Sequence, residues 1–227
     1  MKTSTNRGGI ADAPGVSAAT VWRWLVFALV AAVFVWACVF GSRLAQSEWL
    51  SMEPRHRIAQ WTQGGQPWQM KQWAQMQGQL RQALSITPDN PVLHDNLASL
   101  YALRGQSYWT TQSLRRAFFL DARRHQVTSL QLRAVNGRTW AALALSMHAL
   151  GEPPANVYGA LGNARKFSPS DPKVQRMVAS LVLAHWGTAS PEWRQWTLGL
   201  YQQPDVRMRL GLETMFKTYG VAVPALL

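Results

Sequence analysis

A single cysteine, Cys38, in 227 residues excludes an intramolecular disulfide framework and any multi-cysteine zinc site, so the fold must rest on its apolar core. Carboxylates are scarce too: 11 Asp and Glu stand against 23 Lys and Arg, within a charged fraction of 15% and a net charge of +12. None of these carboxylates pairs at i, i+3 or i+4 on an expected helix face, which leaves no acid–base dyad for catalysis. The five histidines (His56, His94, His125, His148, His185) are scattered and lack an H-E-x-x-H pattern. Nucleophile-elbow, Walker and Rossmann patterns are missing as well. Ser170-Asp171-Pro172-Lys173 fits S-x-x-K, but without its companion motifs it reads as a helix N-cap followed by proline. The expectation is a chain with no catalytic residue, no metal and no cofactor. Alternation of period two is also lacking beyond Ser42, whereas apolar residues recur at three and four (Leu93, Leu97, Leu100, Tyr101), so the expected class is all-α.

What the chain does have is a long apolar run. Trp24 to Ser42 is 19 residues without a formal charge, and a bilayer core of ~30 Å needs about 20 as helix. Ten of them are Leu, Val or Phe, contributing about 3–6 kcal/mol of insertion free energy. Trp22, Trp24 and Trp49 flank the run as interfacial aromatics do. It is too long for a cleaved signal, and Val35-Trp36-Ala37-Cys38 departs from a lipobox at Trp36. The division expected is therefore a disordered tail over 1–20, one transmembrane helix over 21–42, and a linker or irregular helical segment over 43–66. Lys2 and Arg7 before the helix nearly balance Arg43, Arg55 and Arg57 after it, so charge does not set the orientation. The signal-anchor layout places the body in the periplasm, beyond a bacterial inner membrane crossed once.

Past the linker the punctuation is explicit. Pro88-Asp89-Asn90-Pro91, Gly151-Glu152-Pro153-Pro154, Ser168-Pro169-Ser170-Asp171-Pro172 and Ser190-Pro191 combine helix stops, N-caps and first-turn prolines. The segments ending at Pro88 and after Arg124 align with Ala83 and Ala117 34 residues apart. Leu97 and Ala98 take large and small apolar sites, Tyr101 an aromatic site, Gly105 the turn and Ala117 the small site of the second helix; Ala122 stands where a proline is usual. A later unit displaced by about 13 residues (125–137) offers Ala164 and Pro169 at matching offsets. On these residues the chain from 67 to 203 resembles a tetratricopeptide array. The resemblance implies an α-solenoid of helix-turn-helix repeats, closed by a capping helix and tail over 204–227. A generic helical bundle with similar spacing is the alternative.

Arginine clusters near the displaced segment: Arg115, Arg116, Arg123, Arg124, Arg133 and Arg138. Arg116 and Arg123, seven apart, share a helix face with Asp121 as the only evident counter-charge, so a basic stripe for an anionic ligand or partner is one reading and a solvated face the other. Trp61, Trp68 and Trp73 are read either as sugar platforms or as packing. A pI of 10.9 invites nucleic acid, but the aromatic-basic signatures of RNA modules are missing and no nucleic-acid partner is expected. The layout of an anchor followed by a basic, tryptophan-rich repeat body resembles accessory proteins of bacterial exopolysaccharide synthesis and export, of the VpsP/EpsP type. That resemblance implies a scaffold contacting other envelope proteins, with acidic polysaccharide as a further ligand. A glycan- or anionic-lipid-binding protein, an envelope enzyme, and an accessory of secretion, pilus or cytochrome assembly are the alternatives. The oligomeric state is not readable from the sequence.

Overall fold

A computed structural model describes residues 18–62, 64, 67–107 and 109–223, with side chains from Val21 onward. All regular structure among these residues is helical: α1 (Ala18–Thr62), α2 (Met70–Ile86), α3 (Pro91–Gln106), α4 (Gln112–Leu132), α5 (Gly137–Ala149), α6 (Pro154–Phe167), α7 (Pro172–Ala184), α8 (Pro191–Tyr201) and α9 (Val206–Thr218). The chain divides into two compact units, Met1–Ala45 and Gln46–Leu227. In the first, α1 begins at Ala18, and its side chains from Val21 to Ala45 are exposed. This helix is long and apolar enough to cross a membrane. The greater part of the tail expected over 1–20 lies outside the described residues.

The second unit opens on the segment expected as a linker or irregular helical segment over 43–66, which is helix as far as Thr62. Its buried residues are Ser47, Ser51, Pro54, Ile58 and Trp61, a helical stripe that hydropathy misses because two members are serines and one is proline. Pro54 removes one backbone hydrogen bond inside the helix, at a cost of about 3 kcal/mol. Ile58 and Trp61 offset it by joining a core with Trp73, Met76 and Leu80 of α2 and Leu93, Leu97 and Leu100 of α3. The Trp73 indole N–H, deep in that core, donates to the Leu100 carbonyl at 2.9 Å.

Three corners repeat the same chemistry. The α2–α3, α4–α5 and α6–α7 connections are each capped by a short polar side chain, Asn90, Asn136 or Asp171, accepting from a backbone N–H two residues on. In each, a turn carbonyl accepts from a side chain six residues later: Pro88 from His94, Ala134 from Trp140, Pro169 from Gln175. A small buried residue near the end of the even helix meets the start of an earlier odd-numbered helix or helical stretch. Ser47 Oγ donates to the Ala83 carbonyl, Ser129 Oγ donates to the Pro91 carbonyl, and a β-carbon on Gly137 would lie 2.7 Å from the Ala164 carbonyl. The recurring small site is therefore Ala83, Ser129 and Ala164, all 0% exposed.

Ala117 is not part of that series. It is exposed, and the buried small residue on its helix near the core is Ala122. The reason is length: α4 continues through most of the residues expected as an insertion, to Leu132, so a fixed offset of 34 residues lands more than three turns before Ser129. Gly105 lies within the last turn of α3, packed on the Phe119 ring, where a β-carbon would come within 3.0 Å of the ring edge. Leu97, Ala98 and Tyr101 are buried, while Pro88 and Pro169 sit exposed at their turns. Packing passes from neighbour to neighbour: α3 with α4, α4 with α5, α5 with α6, and α7 with α8. Each odd helix from α3 also touches the next odd one, ending on α9. Met208, Leu212 and Phe216 of α9 bury against Ala179 and Leu183 of α7 and Leu200 and Tyr201 of α8.

Candidate functional site

Within the second unit, the second half of α1, together with α3, α5 and the start of α7, borders a cavity of about 560 Å³, with Gln126 and Arg133 contributed from α4 and its C-cap. A smaller, more apolar cavity of about 130 Å³, with Leu103, Phe119, Leu145 and Met177 in its wall, shares Thr62, Ser99, Gln126 and Ala142 with it. The two form one groove on the face where odd helices succeed one another. Its polar anchor is Asp95 of α3. This carboxylate accepts from Arg133 Nη2 at 2.9 Å, Asn136 Nδ2 at 3.2 Å and Thr139 Oγ1 at 2.8 Å, pinning α3 to the α4–α5 corner. Arg55, Arg138 and Lys173 complete the cationic lining.

The six arginines do not form one stripe. Arg123 pairs with Glu152 at 2.7 Å, Arg124 with Asp121 at 3.4 Å, Arg133 with Asp95 at 2.9 Å, and Arg138 with Asp171. Asp121 is thus one counter-charge of four, and the others come from residues far away in sequence. Arg133 and Arg138 belong to the groove. Arg115 and Arg116 border a separate recess of about 960 Å³ beside His148 and Gly151, where Arg116 donates to the Leu150 carbonyl. Burial alone would raise the Asp171 carboxyl, but hydrogen bonds from the Arg138 guanidinium and the Lys173 and Val174 amides outweigh it and hold the group below the usual carboxylate range. Asp171 also caps α7, so the S-x-x-K segment is a helix start in the structure.

Four of the five histidines meet in two pairs. His94 Nδ1 of α3 and His125 Nδ1 of α4 are 2.9 Å apart, and His185 Nε2 at the end of α7 is 2.9 Å from His148 Nδ1 of α5. Burial, then the neighbouring His94, lowers His125 to about 4. Burial and His185 lower His148 in the same direction. No three of His, Cys, Asp and Glu converge among the described residues. Of the tryptophans, Trp61 and Trp73 are core, and Trp68 is half-buried beneath the Arg104 guanidinium, 5.7 Å from its ring centre.

Sequence reasoning gave no site role to Arg55, Asp95, Asn96, Gln126 or Lys173, all of which line the groove. The one available signal was polar residues on helices where apolar ones would complete the stripe. Set against family models and curated proteins, the chain matches none.

Proposed function

We propose that this chain is a non-catalytic, membrane-anchored scaffold of a bacterial envelope complex. In this reading α1 spans the inner membrane once, the body lies in the periplasm, and α1 from Ser47 through α8 forms a tetratricopeptide-like array capped by α9. The observation that carries it is the repeated corner: three connections with the same cap, the same carbonyl-to-side-chain bond and the same small buried site, joined by contacts between successive odd helices. Arrays built this way present an inner face to a partner, and here that face carries the groove around Asp95. Exopolysaccharide synthesis or export is the pathway we assign, on the layout of anchor and basic repeat body. The glycan-binding alternative is supported by the polar lining of the groove.

The test is membrane fractionation and crosslinked pull-down of the tagged full chain, beside Ala142→Arg, which fills the groove. We expect the protein in the inner-membrane fraction, and specific envelope proteins lost with the variant while its melting curve holds. Recovery in the soluble fraction, or identical partners from both, would contradict the reading.

A further inference from the structure

His148 and His185 stand apart from the residues that line the groove. His148 lies in the last turn of α5 and His185 is the C-cap of α7, so the two ring nitrogens that face each other at 2.9 Å belong to helices packed side by side. Both residues are half-buried. His148 also borders the open recess of about 960 Å³, which gives ions and water a path to its ring.

The electrostatics at this point favour a cation. Helix C-termini carry the negative end of the macrodipole, and α5 and α7 both end here. Burial and His185 hold His148 below its ordinary value, so its ring is neutral at pH 7 and keeps a lone pair; neither Arg115 nor Arg116 of the recess is among the charges acting on it. The other histidine pair differs on this count, since Arg81 and Arg124 both act on His125.

The distance selects the ion. Metal–nitrogen bonds run at ~2.0–2.1 Å, so two nitrogens 2.9 Å apart subtend about 90° at the metal, whereas tetrahedral zinc would hold them about 3.3 Å apart. Right angles between nitrogen ligands belong to tetragonal copper(II) and nickel(II), and copper(II) binds the tighter of the two. No third His, Cys, Asp or Glu converges on the pair among the described residues, so water takes the remaining positions. Without metal one ring donates to the other; on binding, that proton moves to the far nitrogen of its own ring, leaving two neutral ligands and no net proton release.

We infer that His148 Nδ1 and His185 Nε2 form a clamp for copper(II) that ties the end of α5 to the end of α7. The inference goes beyond the scaffold reading and uses neither the anchor nor the groove, so each can fail alone.

The test is titration of the untagged, detergent-solubilised full chain with copper(II), nickel(II) and zinc(II) chlorides, read by calorimetry and, for copper, by electron paramagnetic resonance. Copper(II) is expected to bind saturably at equimolar ratio and at least tenfold tighter than nickel(II) or zinc(II). Its spectrum should show coupling to a pair of imidazole nitrogens. His148→Gln and His185→Gln should each weaken binding tenfold or more, and His94→Gln should not. Glutamine keeps a hydrogen-bonding side chain at either position, and melting curves without metal show whether the variants fold; the wild-type spectrum counts the ligands independently of them. Zinc(II) bound as tightly as copper(II), no saturable site, a spectrum without nitrogen coupling, or binding indifferent to both substitutions would overturn the inference.

Discussion

His94 and His125 face each other across α3 and α4 with their Nδ1 atoms 2.9 Å apart, and the other ring nitrogen of His94 lies 3.1 Å from the Pro88 carbonyl. A carbonyl only accepts, so His94 carries its proton on Nε2 and its Nδ1 accepts a hydrogen bond from His125 Nδ1–H. The arrangement holds with both rings neutral. Tyr101 stacks on the His125 ring, Arg81 and Arg124 add positive charge nearby, and Asp121 opposes them only in part.

Acidification should therefore loosen the body. His125 falls to about 4 in the fold, below its ordinary value of 6.5. Between those values the unfolded chain binds the extra proton, so this stability is present above pH 6.5 and lost as pH falls through 4. Allowing for solvent screening at a partly exposed ring, the loss is about 1–2 kcal/mol. Melting curves at pH 7.5 and 4.5 should show a larger drop for the wild type than for His125→Gln; equal drops would contradict the account of the pair.

Asp95 is the polar hinge of the groove. Asp95→Ala removes the acceptor of Arg133, Asn136 and Thr139 together, and should destabilise by about 2–3 kcal/mol in a denaturant titration. Asp95→Asn, which keeps the shape and one acceptor, should cost less. A loss below about 0.5 kcal/mol for the alanine variant would show that the three bonds do not hold the corner.

Two glycines should answer substitution with opposite signs. A β-carbon on Gly137 would lie 2.5 Å from Ser168 Oγ and 2.7 Å from the Ala164 carbonyl, so Gly137→Ala must push α5 off the α6–α7 corner, a loss of about 1–3 kcal/mol. Gly159, exposed within α6, has nothing within 4 Å of its would-be β-carbon. Gly159→Ala should gain about 0.5–1 kcal/mol by helix propensity. Chemical denaturation of both reads the contrast directly.

Removing the Tyr101 hydroxyl is a smaller change. It accepts from Arg81 Nη2 at 2.8 Å and Gln77 Nε2 at 2.9 Å, so Tyr101→Phe should cost about 1–2 kcal/mol while the ring keeps its packing on Trp73 and Phe118. Tyr101→Ala should cost about 3–5 kcal/mol. Equal losses from the two would place the whole effect in the hydroxyl.

Helix class and the apolar N-terminal run were legible because both depend on local signals: Pro91, Pro154, Pro172 and Pro191 do stand at first turns, and Asn90 and Asp171 do cap. The stretch from Gln46 to Thr62 was legible only as a linker or irregular helical segment, since three of its five buried residues are Ser47, Ser51 and Pro54 and the helix is soon followed by Gly64 and Pro67. The repeat register failed at Ala117 for a related reason. Its true markers, the corners at Asn90, Asn136 and Asp171, are spaced unevenly because α4 is longer than α2 and α6. The groove was least legible of all. Arg133 and Asp95 are 38 residues apart and Arg138 and Asp171 33 apart, so only the fold brings each pair together.

The most direct test of the scaffold account is site-specific photo-crosslinking in cells, with the reactive residue at Ser99 or Ala142 in the groove, or at the exposed position Leu120 on α4. The account predicts adducts to a defined envelope protein from positions 99 and 142, in the membrane fraction, and none from 120. Adducts from 120 alone, or from no position, would contradict it.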